Sequence, residues 1–250
     1  MYTETIDIPT PDGTADAYIA HPGDGARHPG VLFYMDAIGL RPNIHEMAER
    51  LASEGYFVLA PNVFYRHGRA PVVEVPDLAE PEARAPFFQK IMPMVHQHGL
   101  DRVHDDAAAF LDYLASRPEV RPGPVGTVGY CMGGVLAIRT AAAHPDQVKA
   151  AAAFHPGGML TDADSSPHRL APRIGAEVVL GLAESDYTDE QVGQLADSLD
   201  SAGLRHSTAI YPGTVHGFTM ADTAAHHPEG EKRHWDELLD LFARNLKGEK

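Results

Sequence analysis

One stretch limits what this chain can fold into more than any other: Gly129-Tyr130-Cys131-Met132-Gly133-Gly134, which holds the only cysteine in 250 residues. An apolar, strand-like run (Val125 to Val128) leads in, and a helical run (Val135 to Ala143) leads out. A strand that turns into a helix within a few residues strains the backbone at its tip. The positions two before and two after must then lack a Cβ, and Gly129 and Gly133 fill them. The turn aims Cys131 at the first N–H groups of the next helix, whose positive end favours a thiolate. The competing reading is a small buried hydrophobe lying between glycines, as free cysteines often are.

The rest of the chain alternates strands with helices. Thr3 to Ile8 and Ala15 to Ala20 flank Pro11-Asp12-Gly13 and read as a hairpin. Val31 to Met35 and Tyr56 to Ala60 are continuous apolar runs of the buried, parallel-sheet kind. Strands are also expected at 125–130, 149–154, 177–183 and 206–211. Helical spacing marks 43–54, 101–116 (with Val103, Ala107, Phe110, Leu111 and Leu114 apolar), 132–143, 189–201 and 231–246. This pattern predicts one α/β domain over 1–250, with about eight strands in a mostly parallel sheet and helices on both faces. The run from Arg66 to Leu100 breaks the alternation with five prolines and one modest helical stretch near Phe87 to Val95. It is expected to be a long loop bordering the active site.

Composition narrows the function. A net charge of −15 argues against nucleic acid or an anionic membrane as partner. One cysteine excludes an internal disulfide, a Cys-x-x-Cys redox pair and a cysteine-based zinc site. No apolar run approaches the roughly 20 residues of a membrane span. The first twenty residues, with Glu4, Asp7, Asp12 and Asp16, are not expected to be a signal peptide. A cytoplasmic protein without metal or cofactor, monomer or homodimer, acting on a small molecule, is the expectation.

A cysteine nucleophile needs a base, and the base an orienting acid. Asp186 suits the acid: the strand Val178 to Ala183 runs straight into Glu184-Ser185-Asp186. His216 suits the base: the strand Ser207 to Tyr211 runs into Pro212-Gly213-Thr214-Val215-His216. Both follow the carboxyl ends of strands, where open α/β sheets build their sites. Glu184, His155, His226 and His227 compete less well. Glu184 sits directly after its strand, His155 follows strand 149–154 and suits a pocket wall, and the other two follow no strand.

Taken together, the elbow, Gly181-Leu182-Ala183-Glu184-Ser185-Asp186 and Tyr211-Pro212-Gly213-Thr214-Val215-His216-Gly217-Phe218 resemble the dienelactone hydrolase family of the α/β-hydrolase superfamily. Met35-Asp36-Ala37-Ile38-Gly39-Leu40 and Ala60-Pro61-Asn62-Val63-Phe64-Tyr65-Arg66 add to the likeness, which spans essentially the whole chain in order. The resemblance implies an α/β-hydrolase fold and a Cys131–His216–Asp186 triad cleaving esters or lactones through a thioester. It further implies an oxyanion hole from the N–H groups of Ala37 and Met132. Asp36 stands where the family has a glutamate that contacts the resting thiol. Arg66 matches the first of two substrate-binding arginines, whereas Thr219 and Met220 lie where the second belongs. Ile38, Tyr130, His155 and Phe218 are expected to line the pocket with Arg66, which has a structural ion pair as its alternative. A broad carboxylesterase or thioesterase with some phosphoester cleavage, and a non-catalytic ligand-binding or thiol-sensing protein, are the competing functions.

Overall fold

The computed structural model describes residues 1–78, 80–97 and 100–247, apart from the side chains of 81, 84, 100, 101 and 103. The expected contribution of Val103 to an apolar face therefore lies outside the described residues. The chain forms two compact units, 1–123 and 124–250. Among the described residues eight strands pair mostly in parallel and alternate with helices, an α/β arrangement.

In the first unit the strands are β1 (Tyr2–Thr10), β2 (Gly13–His21), β3 (Gly30–Tyr34) and β4 (Phe57–Pro61), in the order β1-β2-β4-β3. The β1–β2 hairpin turns where Gly13 adopts φ +142°. Strand β4 pairs antiparallel with β2 and parallel with β3. Helix α1 (Pro42–Ser53) makes the crossover between β3 and β4, with Pro42 at its first turn and Gly55 at φ +89° just past its end. Ile44, Met47, Ala48 and Leu51 form its buried face.

The proline-rich run departs from its reading as a loop. Pro81–Val95 is helix α2, entered through Pro81 and continuing past Pro86 and Pro93. An interior proline costs a helix about 3 kcal/mol. Burial of Phe87 and Ile91, one turn apart on the same face, offsets that cost here. Helix α3 (Leu100–Ser116) follows and buries Ala107, Phe110, Leu111 and Leu114.

In the second unit β5 (Val125–Tyr130), β6 (Val148–Phe154), β7 (Glu177–Ala183) and β8 (His206–Tyr211) lie in sequence order, all parallel. The crossovers run through α4 (Met132–Ala143), α5 (Pro167–Leu170) and α6 (Asp189–Ser201), and α7 (Pro228–Leu246) closes the chain. Two glycines in β5 reveal how tightly the helices pack. A Cβ on Gly126 would come within 2.7 Å of Phe242 on α7, and one on Gly129 within 1.9 Å of the Gly133 carbonyl on α4. They are three residues apart and so face opposite sides of the strand, which places α4 and α7 on opposite faces of β5. Leu238, Leu241 and Phe242 are fully buried, each gaining about 1.5–3 kcal/mol by transfer from water.

Candidate active site

Cys131 sits between β5 and α4 with φ +54° and ψ −120°, one of two non-glycine residues at positive φ among those described. Such a conformation costs about 1–3 kcal/mol and persists only where the surroundings enforce it. Three features enforce it. The Cys131 N–H donates to the Phe154 carbonyl at the end of β6 (3.1 Å). Its own carbonyl accepts from the Gly134 N–H (3.1 Å). Gly129 and Gly133 approach so closely that only glycine fits at 129. The result is a half-buried thiol at the positive end of a 12-residue helix.

Asp186 and His216 stand on the loops after β7 and β8, and those loops are tied to each other. Glu184 accepts from the Gly213 N–H (2.6 Å), and the Ser185 hydroxyl accepts from the His216 N–H (3.1 Å). The Ser185 hydroxyl in turn donates to Asp186 Oδ1 (2.9 Å), leaving Oδ2 to receive His216 Nδ1 at 2.6 Å. Glu184 thus serves the neighbouring loop. Ser185 is a site residue that sequence reasoning left without a role, although its place inside the acid motif was the signal.

His216 Nδ1 is held by Asp186, and Cys131 stands near enough to act on the charge of the ring. Burial alone would lower its pKa, but the hydrogen bonds and negative charges of Asp186 and Cys131 override burial and raise it to about 10. The shift favours the protonated form of the ring. A cavity of about 330 Å³ opens beside the pair, walled by Gly157, Gly158, Met159 and Tyr187. The Tyr187 hydroxyl donates to the Pro156 carbonyl (2.5 Å), fixing that wall. The 157–160 segment carries no motif, so the sequence did not point to it.

Three expected pocket residues turn out to be supports. Tyr130 is fully buried, its hydroxyl 2.8 Å from His234 Nε2 on α7. Phe218 is fully buried against Tyr211 and His155. His155 is fully buried, with Nε2 2.8 Å from the Thr219 hydroxyl and its ring edge-to-face with His216 at 5.3 Å. Their motif neighbours suggested a lining role. Their side chains instead point into the buried interior, a direction that strand alternation alone does not reveal near a loop.

Asp36, Ala37, Ile38 and Arg66 belong to the first unit. Asp36 is buried and gives both carboxylate oxygens to the Arg41 guanidinium (2.7 and 3.1 Å), while Oδ1 also accepts the Ile38 N–H (3.0 Å). Asp36 thus braces the 36–41 turn, in which Ala37 and Ile38 are also buried. Arg66 grips Asp106 through both guanidinium ends (2.8 and 2.9 Å) and Asp12 through Nε (2.8 Å). Its role as a free substrate clamp gives way to the ion-pair alternative. Met132, in the second unit, opens α4 directly after Cys131.

Among the described residues no group of three or more His, Cys, Asp or Glu is placed to hold a metal, and no helix is long and apolar enough to cross a membrane.

Residues 15–246, which hold the Cys131 turn and the bonded Asp186–His216 pair, match a known family profile. The chain belongs to the dienelactone hydrolase family. As a family member it is a hydrolase acting on ester bonds. A carboxymethylenebutenolidase from Rhodococcus opacus is 27% identical over 244 residues, covering 95% of this chain and 89% of that protein. Among solved structures, a dienelactone hydrolase-like promiscuous phosphotriesterase from metagenomic libraries superposes with TM-score 0.72 at 22% identity, covering 98% of this chain and 100% of its own. The dienelactone hydrolase from Anabaena variabilis gives 0.66 at 17%, covering 98% of each chain. The fold of this dienelactone hydrolase family member is therefore that of the α/β-hydrolases.

Proposed function

We propose that this chain hydrolyses small esters or lactones through a Cys131–His216–Asp186 triad and a thioester intermediate. The observation that supports the reading is the 2.6 Å contact of His216 Nδ1 with Asp186, together with a raised His216 pKa to which both Asp186 and Cys131 contribute. Residues 1–250 act as one functional domain in this reading, since the family match spans both compact units.

In the first half-reaction the Cys131 thiolate adds to the carbonyl carbon, and the carbonyl π electrons move to oxygen. The Met132 N–H, at the start of α4, donates to that oxyanion. Collapse expels the alkoxide, which takes the proton from the His216 imidazolium and leaves a thioester on Cys131. In the second half-reaction neutral His216 removes a proton from water as its oxygen attacks the thioester. The acid departs, and thiolate and imidazolium are restored. Asp186 holds the ring tautomer throughout. Nucleophile, acid and base are all side chains, so the chemistry calls for no cofactor, and the reducing cytoplasm suits its thiol.

A panel of chromogenic esters of varied acyl length and charge tests this, run beside the lactone that the name of the Rhodococcus relative suggests. Cys131→Ala should lose turnover of every responsive ester, and iodoacetamide should inactivate the wild type with one adduct, on Cys131. Wild-type turnover by Cys131→Ala would end the proposal.

A further inference from the structure

Beneath the triad lies an imidazole that the mechanism does not use. His155 is wholly buried, yet its Nδ1 has no hydrogen-bond partner, one of two such buried side-chain atoms among the described residues. It is also the second non-glycine residue at positive φ (+38°). An orphaned buried nitrogen and a strained backbone are both unfavourable, and a leucine or phenylalanine would fill the space without the first. Two contacts give the ring its place. Nε2 meets the Thr219 hydroxyl at 2.8 Å, and the ring plane meets His216 at 69° with centroids 5.3 Å apart. Thr219 is itself buried, and it stands where the family resemblance calls for a substrate-binding arginine. In this chain that position serves the interior.

We propose that His155 is a positioning residue: locked by the Thr219 hydroxyl and set edge-to-face against His216, it holds the His216 ring in the rotamer that reaches both Asp186 and Cys131. The inference rests on the triad reading above. It explains why a histidine is kept where an apolar ring would pack. Burial, with the charges of His216 and His234 next, keeps His155 neutral, its pKa held well below the ordinary value. Of two adjacent imidazoles, only His216 then carries the proton. The groups facing His155 are those two histidines, the Thr219 hydroxyl and the Phe218 and Tyr130 rings. An edge-to-face contact fixes ring orientation as well as distance.

The test compares Thr219→Val, Thr219→Ser, His155→Asn and His216→Ala. Valine keeps the shape of threonine without the hydroxyl, and asparagine tolerates positive φ. Thr219→Val and His155→Asn should lower kcat by roughly tenfold to a hundredfold with KM unchanged, the range expected when a catalytic group is misplaced by a fraction of an ångström or more. Their alkaline activity limb should move down in pH, and the proton NMR signal of His216 Nδ1–H should shift or broaden. Thr219→Ser should restore all three. Wild-type kcat, pH profile and NMR signal in Thr219→Val would overturn the proposal, even with a lowered Tm, because His155 would then be packing alone. Should His155→Asn fail to fold, the Thr219 pair decides by itself. His216→Ala separates the two levels: if it stays active, the triad reading falls; if it is dead while Thr219→Val is normal, only the positioning role falls.

Discussion

Arg66 and Asp106 form a two-pronged ion pair, 2.8 and 2.9 Å, to which Tyr65 adds a hydroxyl donated to Asp106 Oδ1 at 2.8 Å. With Asp12 on the third nitrogen, the guanidinium has no edge left for a substrate carboxylate. Arg66→Ala should therefore cost stability, about 3 kcal/mol for a largely buried pair broken on one side. It should leave the ratio of kcat/KM for anionic and neutral esters unchanged. Denaturant titration and the ester panel measure the two effects, and a selective rise in KM for anionic esters would return Arg66 to the substrate.

Asp36 and Arg41 make the same kind of pair in the turn after β3. Asp36→Ala strips the buried Arg41 of its carboxylate, so the variant should melt early, again by about 3 kcal/mol. The pH dependence of Cys131 alkylation should stay as in the wild type. A displaced alkylation curve in the folded variant would mean that Asp36 acts on the thiol after all.

Removing the base should be worse than disorienting it. His216→Ala should lower kcat by about a thousandfold and Asp186→Asn by about a hundredfold, inside the range for general acid–base catalysis, with small changes in KM. Steady-state kinetics on one responsive ester suffices. Equal activity of Asp186→Asn and wild type would remove Asp186 from the triad.

His216 also links stability to pH. Its folded pKa, about 10, lies above its ordinary 6.5, so the folded state binds the proton more tightly. The stabilisation is fully present below pH 6.5 and drains away as pH rises through 10. The Tm gap between wild type and Asp186→Asn should accordingly be largest below pH 6.5 and shrink above pH 10. Activity should fall on the same alkaline limb, because the leaving alkoxide loses its proton donor. A Tm gap that is constant or grows with pH contradicts the assigned charge.

The three positions proposed as a triad share a local signal in the sequence. Cys131, Asp186 and His216 each sit within a few residues of a strand's carboxyl end, and apolar runs mark those ends. Partnerships over long separations were not legible. Arg66 finds Asp106 and Asp12 40 and 54 residues away, and nothing in the Pro-x-x-x-x-Arg pattern favours them over a substrate. Helix α2 was read short because proline penalties are local while the burial of Phe87 and Ile91 is tertiary. Tyr130, His155 and Phe218 stood beside or near the proposed catalytic residues in sequence, but neighbours at a strand end point into the protein as readily as out of it.

The loops after β7 and β8 are fastened at three points: Glu184 to Gly213, Ser185 to the His216 backbone, and Asp186 to the His216 ring. These fasteners span the same two loops and act mechanically in parallel, so weakening one loads the other two. Acid and base therefore separate all at once or not at all. The 2.6 Å contact on which the chemistry depends is held by the stiffness of a three-stitch seam.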